Sequence, residues 1–325
     1  MSPNEVKVSV CVVTYNQEQY IAECLQSLVD QETNFKFEII VGEDCSTDNT
    51  REIIQQYIAK YPDVIKPIFH IENVGAVENI KQVYKKAKGK YIAHMDGDDI
   101  ALPYKLQLQV DILEKNNNIS ICSHDVKRID AKSTVLVKNW VYNDGEYDLL
   151  NFFEKLPFFA HSSKMFRNDF PDKFWDELLN EKNLLDIDIH FESAKRGRIY
   201  HIGRNLGAYR VNVGMSLINK KINPIVPQGL ERVFNKGIKY YEGSPEKTSL
   251  LKQYYSHACI KCAFEFALFN QDEKMFRYYI FKSIKLSKKI DFNKLVFLIG
   301  AFFPKLFFCS LQIRKLIKHL GNRNN

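Results

Sequence analysis

The first 125 residues alternate between apolar, β-branched runs and helical stripes, and few folds accept that pattern. Residues 6–14 form a continuous apolar run, as expected of a strand buried on both faces. Residues 17–31 follow with Ile21, Cys24, Leu25 and Leu28 on one helical face. Further strands are expected at 37–41, 64–70, 90–95 and 119–123. Helices are expected between them at 48–61, capped by Thr47 or Asp48, at 76–88, and at 103–115 with Pro103 in the first turn. Such units join through right-handed crossovers, which predicts an α/β fold built on a mostly parallel sheet flanked by helices. Sheets of that kind bind ligands at the carboxyl ends of their strands.

One strand end stands out chemically. The stretch Tyr91-Ile-Ala-His-Met-Asp-Gly-Asp-Asp99 runs from apolar residues straight into three carboxylates. Asp96 and Asp98 alternate around Gly97, so at strand spacing they leave the backbone on the same side. Carboxylates held that close repel unless a hard divalent cation or a hydrogen-bonding ligand sits between them. This reads as a metal–diphosphate site. Asp99 is the residue suited to capping the helix after it. An EF-hand calcium loop is excluded, because its ligand spacing and terminal Glu are missing.

Two neighbouring strand ends face the same crevice. The first closes on Val13-Thr-Tyr-Asn16, the second on Val41-Gly-Glu-Asp-Cys-Ser-Thr-Asp48. Glu43 and Asp44 can accept from a nucleobase N–H, Tyr15 can stack on its ring, and Thr14, Asn16 and Ser46 add polar contacts. The same acidic segment can also simply turn the chain and cap a helix. No G-x-G-x-x-G or Walker loop follows the first strand, which excludes a dinucleotide fold and a P-loop.

Taken together, Ser9-Val-Cys-Val-Val-Thr-Tyr-Asn16, Glu38-Ile-Ile-Val-Gly-Glu-Asp-Cys-Ser-Thr-Asp48, Asn73-Val-Gly75 and Gly89 to Asp99 resemble the family 2 glycosyltransferases over about residues 6–216. That resemblance implies the Rossmann-like GT-A fold and inverting transfer from a nucleotide-sugar, most often a UDP-sugar. It implies that Asp44 reads the nucleobase, with Thr14, Tyr15, Asn16, Glu43, Ser46 and Asn73 around it. Asp96 and Asp98 match the family's D-x-D, the first near the ribose and the second on Mg2+ or Mn2+. Glu43 stands where Asp is more usual and keeps the charge. The family's catalytic base lies eleven positions before a Gly that precedes a strand; counting back from Gly197 gives Asp186. Asp188, two residues on, points elsewhere on a helix. An ordinary first-turn acid would also suit Asp186. The segment Leu206-Gly-Ala-Tyr-Arg-Val-Asn212 resembles the family's Tyr-Arg-x-His, with Asn212 in place of His. Arg210 and Asn212 are then candidates for phosphate contact, although Arg210 could equally pair with a neighbouring acid. His161, in Phe159-Ala-His-Ser-Ser163, is a candidate acceptor contact or a structural histidine.

Beyond residue 126 the pattern is mixed, with a hairpin expected at 135–142, strands at 160–166 and 199–202, and a helix at 186–195. Three parts are expected: a GT-A catalytic domain over 1–218, a linker over 219–246 suggested by Pro224 and Pro227, and a helical C-terminal extension over 247–325. Residues 272–325 hold 12 Lys+Arg against 3 Asp+Glu, while the rest of the chain is near neutral. That split argues against a nucleic-acid partner and for an anionic surface meeting the C-terminus. Residues 295–313 are rich in Phe, Leu and Ile but interrupted by Pro304 and Lys305, which suits an interfacial helix or a small helical core better than a membrane span. Seven scattered cysteines and a short polar stretch before the first strand predict reduced thiols in the cytoplasm, with peripheral contact at the inner face of the membrane. Cys259-Ile-Lys-Cys262 reads as helix packing rather than a metal site.

The partners implied are a nucleotide-sugar donor and a glycan or lipid-linked acceptor, in cell-surface polysaccharide synthesis. Two other functions fit less well. A sugar-nucleotidyltransferase needs a Gly-rich, basic loop after the first strand, where this chain has Thr14-Tyr-Asn-Gln-Glu18. A catalytically inactive, glycan-binding GT-A-like protein has no need of Asp44, Asp96, Asp98 and Asp186 together.

Overall fold

The computed structural model describes residues 5–136, 140–179, 183–211, 213, 217–218, 221–289 and 291–311. The chain divides into two compact units, Met1–Val213 and Gly214–Asn325. In the first, strands β1 (Val8–Thr14), β2 (Phe37–Glu43), β3 (Ile65–Phe69) and β4 (Tyr91–Asp96) alternate with helices α1 (Ile21–Val29), α2 (Thr50–Lys60) and α3 (Ala76–Lys86). A two-residue strand β5 (Ile100–Ala101), helix α4 (Lys105–Lys115) and the long strand β6 (Ile119–Ile129) follow. Then come β7 (Gly145–Tyr147), α5 (Leu149–Glu154), a 3-10 turn at His161–Ser163, β8 (Met165–Arg167), α6 (Asp172–Leu179), α7 (Asp186–Ala194) and β9 (Arg198–Arg210).

These strands form one sheet in the order β3-β2-β1-β4-β8-β6-β9-β5, with β7 also on β9. The β3-β2-β1-β4 block and the β6–β9 pair are parallel, and β8 is inserted antiparallel between them. The central strands are buried on both faces, as their unbroken apolar runs require: Val8, Val10 and Val12 join Ile39, Val41, Tyr91 and Ala93 in one core with Leu25, Leu28 and Leu106. The sheet is therefore mixed, with the parallel crossovers concentrated where the sequence alternates.

Several elements differ from expectation in their limits. Helix α4 starts at Lys105 after Tyr104, which takes a left-handed φ of 67°, so Pro103 lies outside it. The expected strand at 160–166 is a 3-10 turn followed by three residues of β8. Segments near 135 and 140 bridge to β6 rather than to each other, at Ile129–Val135 and Val126–Trp140.

The second unit holds a short hairpin, β10 (Leu217–Ile218) with β11 (Lys221–Ile222), and helices α8 (Ile225–Tyr240), α9 (Pro245–Glu265), α10 (Glu273–Leu286) and α11 (Phe292–Phe302). The linker expected over 219–246 is thus corrected, since α8 occupies most of it and buries Val233 and Phe234. Pro224 and Pro227 were misleading because they fall at the helix start, where a missing N–H costs nothing. Cys259 and Cys262 are free thiols buried on α9.

Gly89 has a steric reason. A Cβ there would lie 2.5 Å from the Ser9 backbone nitrogen and 2.7 Å from the Val8 carbonyl carbon. Ser9 Oγ meanwhile donates to Glu38 and accepts the Lys88 and Gly89 amides, which pins the entry to β4. Gly89→Ala is expected to cost about 1–3 kcal/mol. It should lower the melting temperature by roughly 2–4 °C per kcal/mol in a unit of this size.

Candidate active site

The carboxyl ends of β2, β1 and β4 lie side by side, with Thr14 opposite Glu43 and Val13 opposite Asp96 in the ladders. Two strand spacings separate Asp44 from Asp96, about 10 Å across one sheet edge. At the β2 end, the Asp44 carboxylate accepts the Val74 amide at 2.7 Å and the Gly75 amide at 3.0 Å. Gly75 takes a φ of 85°, and the Asn73 side chain donates to the Asp44 carbonyl at 3.1 Å. Asn73-Val-Gly75 therefore wraps Asp44 and fixes it. Two of roughly four lone-pair positions remain for a ligand donor.

Asn16 and Ser46 bind the two loops to each other: the Asn16 amide donates to Ser46 Oγ at 2.9 Å, and Asn16 Oδ1 accepts from the Thr47 amide at 2.8 Å. Tyr15 stays 44% exposed, so its ring is available to stack, while Thr14 is buried and donates to Gln17. Glu43 is a correction. Its carboxylate is fully buried, accepts the Ser46 amide at 2.6 Å and is paired with Arg51, which also donates to the His70 carbonyl. It braces the loop from behind instead of facing the crevice.

At the β4 end, Asp96 is the outward carboxylate, one-third exposed, accepting from Ser162 Oγ and from His94 Nε2 at 3.1 Å. The His94 ring is fully buried and its other nitrogen meets the Tyr84 hydroxyl at 2.9 Å. Burial keeps that imidazole neutral and the phenol protonated, so Tyr84 donates to Nδ1 and the Nε2 proton goes to Asp96. Asp98 is buried, and burial with repulsion from Asp96 pushes its pKa up to about 6. Asp99 is buried further; one of its oxygens accepts the Arg210 amide at 2.8 Å. Gly97 is needed here, because a Cβ would meet the Thr14 side chain at 2.8 Å.

Of the two readings open for Arg210, the structure shows pairing with an acid. Its buried guanidinium donates to the carbonyls of Asp98 and Asp130 at 2.9 and 2.8 Å, to Ser133, and to Glu23 at 2.9 Å, and lies over the Tyr20 ring. It locks the acidic turn from beneath and is not turned toward a phosphate. Asn212 lies outside the described residues.

Asp186 opens α7 and Asp188 is consumed locally, reaching back to the Leu185 amide at 3.0 Å. Burial pushes the Asp186 pKa up to about 6, against the pull of the Lys164 ammonium. Asp96 is close enough to add to that rise, and Tyr209 on β9 feels Asp96, Asp98, Asp99 and Asp186 together. Contacts join the two acid sets: Asp96 accepts from His94, the His94 ring lies 3.6 Å from that of His161, and His161 and Asp186 present ligand atoms within 4.8 Å of each other. Lys164 is buried without a hydrogen-bond partner among the described residues, and burial lowers its pKa to about 7. Lys105, beneath Asp99, is likewise buried, with a pKa lowered to about 8. His161 sits behind Asp186, its ring 3.6 Å from that of His94 and its Nδ1 3.1 Å from His190 Nε2. Lys105, Lys164, His94 and His190 went unnoticed in the sequence. A lysine inside the apolar stretch Ser163-Lys-Met-Phe166 was the one legible sign.

The glycosyl transferase family 2 model matches residues 9–175, which carry all three strand ends. The chain belongs to glycosyl transferase family 2. Within the family, it is 38% identical over 115 residues to the putative glycosyltransferase EpsE of Bacillus subtilis, covering 35% of this chain and 41% of that one. It is 37% identical over 106 residues to the putative teichuronic acid biosynthesis glycosyltransferase TuaG of the same organism, covering 33% of this chain and 41% of that one. The matches span about two fifths of the length of such curated relatives. Among solved structures, S. aureus TarS 1-349 in complex with UDP-GlcNAc superposes with a TM-score of 0.64 over 86% of this chain and 81% of that one, at 18% identity. That likeness establishes the GT-A-like fold.

The geometry separates two roles for Arg210. Arg210→Gln should cost about 2–4 kcal/mol, because it leaves buried carbonyls and Glu23 unpaired, and should appear as a large fall in melting temperature. A phosphate-binding arginine would instead leave melting intact and weaken nucleotide binding alone.

Proposed function

We propose that this protein transfers a sugar, with inversion, from a nucleotide-sugar to a hydroxyl of a glycan or lipid-linked acceptor. The observation that carries the reading is the meeting of Asp96-Gly-Asp98 and Asp186 in one crevice, beside the fixed Asp44 carboxylate. UDP is the nucleotide favoured, on the strength of family membership and of the UDP-GlcNAc bound to TarS. The likeness to TuaG, a putative teichuronic acid biosynthesis glycosyltransferase, favours a cell-surface polysaccharide as the acceptor's class.

Each residue then has a task. Tyr15 stacks on the nucleobase and Asp44 accepts its N–H, on the lone pairs that Val74 and Gly75 leave open. Asp96, held by Ser162 and His94, orients the ribose. Asp98 fits a hard cation: its donors are all oxygen, and its neighbour Asp96 repels it when both are ionised. Mg2+ or Mn2+, when bound there, neutralises charge growing on the departing diphosphate, an effect worth several kcal/mol. On the opposite face of the sugar, Asp186 takes the proton of the attacking hydroxyl. A carboxylate with pKa near 6 is a stronger base than a free one and still ionised at neutral pH. The displaced nucleoside diphosphate leaves as the new glycosidic bond forms.

Asp186→Asn should keep nucleotide binding but lower transfer by about 10²–10⁴ or more. Asp98→Ala should lose transfer together with metal-dependent nucleotide binding, measured by calorimetry with UDP and Mn2+. Full activity of Asp98→Ala would remove the metal assignment. Below its pKa of about 6 Asp186 is protonated and cannot accept a proton. With metal and donor saturating, the rate should therefore fall about tenfold per pH unit below that point.

A second proposal concerns the C-terminal unit. One face of α11 packs inward through Phe297 and Ala301 toward Phe276. The other exposes Phe292, Leu295, Ile299, Phe302, Phe303 and Leu306, and residues 272–325 are strongly basic. No helix among the described residues is long and apolar enough to cross a membrane. An apolar stripe beside Lys and Arg suits peripheral binding to an anionic bilayer, at about 1 kcal/mol per basic residue near the surface. Removing residues 290–325 should release the protein from phosphatidylserine vesicles in a flotation assay; unchanged flotation would count against the contact.

A further inference from the structure

Beside the all-oxygen acid pair lies a donor set of different chemistry. His161, Asp186 and His190 each present a ligand atom, and these atoms lie within 4.8 Å of one another. Asp186 and His190 are one turn apart on the same face of α7, and His161 reaches them from the 3-10 turn. The facing nitrogens of His161 and His190 are 3.1 Å apart, close to the roughly 3.3 Å between two imidazole nitrogens on one tetrahedral ion with metal–nitrogen bonds of about 2.0–2.1 Å. Both rings are nine-tenths buried or more, and burial keeps both neutral, the form that ligates. His161 Nε2 has no hydrogen-bond partner among the described residues. Asp186 is the partly exposed member of the three.

Two imidazoles and one carboxylate favour borderline ions such as Zn2+ over Mg2+ or Mn2+. We propose that His161, Asp186 and His190 bind a zinc-class divalent cation, and that the ion stops sugar transfer by holding Asp186 as a ligand. The binding part stands on geometry alone; the inhibition rests on Asp186 being the base. Lys164, the residue after the 3-10 turn that carries His161, is buried, and its charge pulls the Asp186 pKa down, so it opposes a cation held there. Removing its charge with Lys164→Met should therefore tighten binding several-fold.

Co2+ is the probe, added to the full chain and read by its visible ligand-field band. Wild type and Asp98→Ala should both develop an intense band that Zn2+ removes. His161→Ala and His190→Ala should lose it. An absent band in wild type, or an undiminished band in the histidine variants, overturns the site. Zinc-edge X-ray absorption on the zinc-loaded wild type decides the point however those variants fold: outer-shell scattering from two imidazoles supports the site, and a shell of oxygen alone overturns it. In the transfer assay at saturating Mn2+, Zn2+ should inhibit and extra Mn2+ should not relieve it. Cobalt binding with undiminished transfer would sink the base reading while leaving the site. Zinc inhibition without the cobalt band would sink the site and leave the base.

Discussion

Four carboxylates are gathered at one sheet edge, Asp98 and Asp99 buried and Asp96 and Asp186 partly so, and the rest of the first unit answers that constraint. Uncompensated, such a group is too costly to bury. The compensation comes partly from nearby, with Lys105 at the start of α4, and partly from far along the chain, with Arg210 at the end of β9 and Lys164 just before β8. Neither Arg210 nor Lys164 could reach the β4 end in a purely parallel sheet that stopped at residue 125. The antiparallel insertion of β8 beside β4, and the long return of β9 along β6, bring them there. The mixed part of the sheet is therefore as much a part of the site as the acidic turn itself.

This explains which assignments the sequence could carry. Strand ends are one-dimensional information: an apolar run stops, and the residues after it face the ligand edge. The positions of Asp44, Asp96 and Asp98 at strand ends were legible for that reason; Asp186 became a candidate only through the family resemblance, by its distance from Gly197. The direction of a side chain at a strand end is not one-dimensional. Glu43 and Asp44 are adjacent acids, yet the first turns into Arg51 and the second lies against the Val74 and Gly75 amides. Arg210 and Glu23 are separated by 187 positions, so no local pattern could pair them. The linker failed for a related reason, since proline reads as a breaker unless its place in the helix is known.

The histidines show the same limit from another side. His94, His161 and His190 come from a strand, a 3-10 turn and a helix, and each alone is an unremarkable buried ring. Assembled, they line the back of the crevice: His94 ties Asp96 to Tyr84, and His161 with His190 backs Asp186. Their neutrality matters to the acids in front of them. Protonated rings would pull the Asp186 pKa down and weaken it as a base, whereas burial keeps them uncharged.

One crevice thus offers two kinds of donor within a short reach, hard oxygen at Asp96 and Asp98 and borderline nitrogen behind Asp186. Burial raises the Asp186 pKa to about 6 and makes it a better proton acceptor, and the same burial makes it a better ligand for any cation that enters. A base of this kind needs a guard against the wrong ion. The Lys164 ammonium acts in that direction: it pulls the Asp186 pKa down against burial, and it adds a positive charge that a second cation must overcome. Without that ammonium, burial alone would leave Asp186 both more protonated near neutral pH and more open to capture by metal. Buried lysine and buried base are therefore best understood as one device.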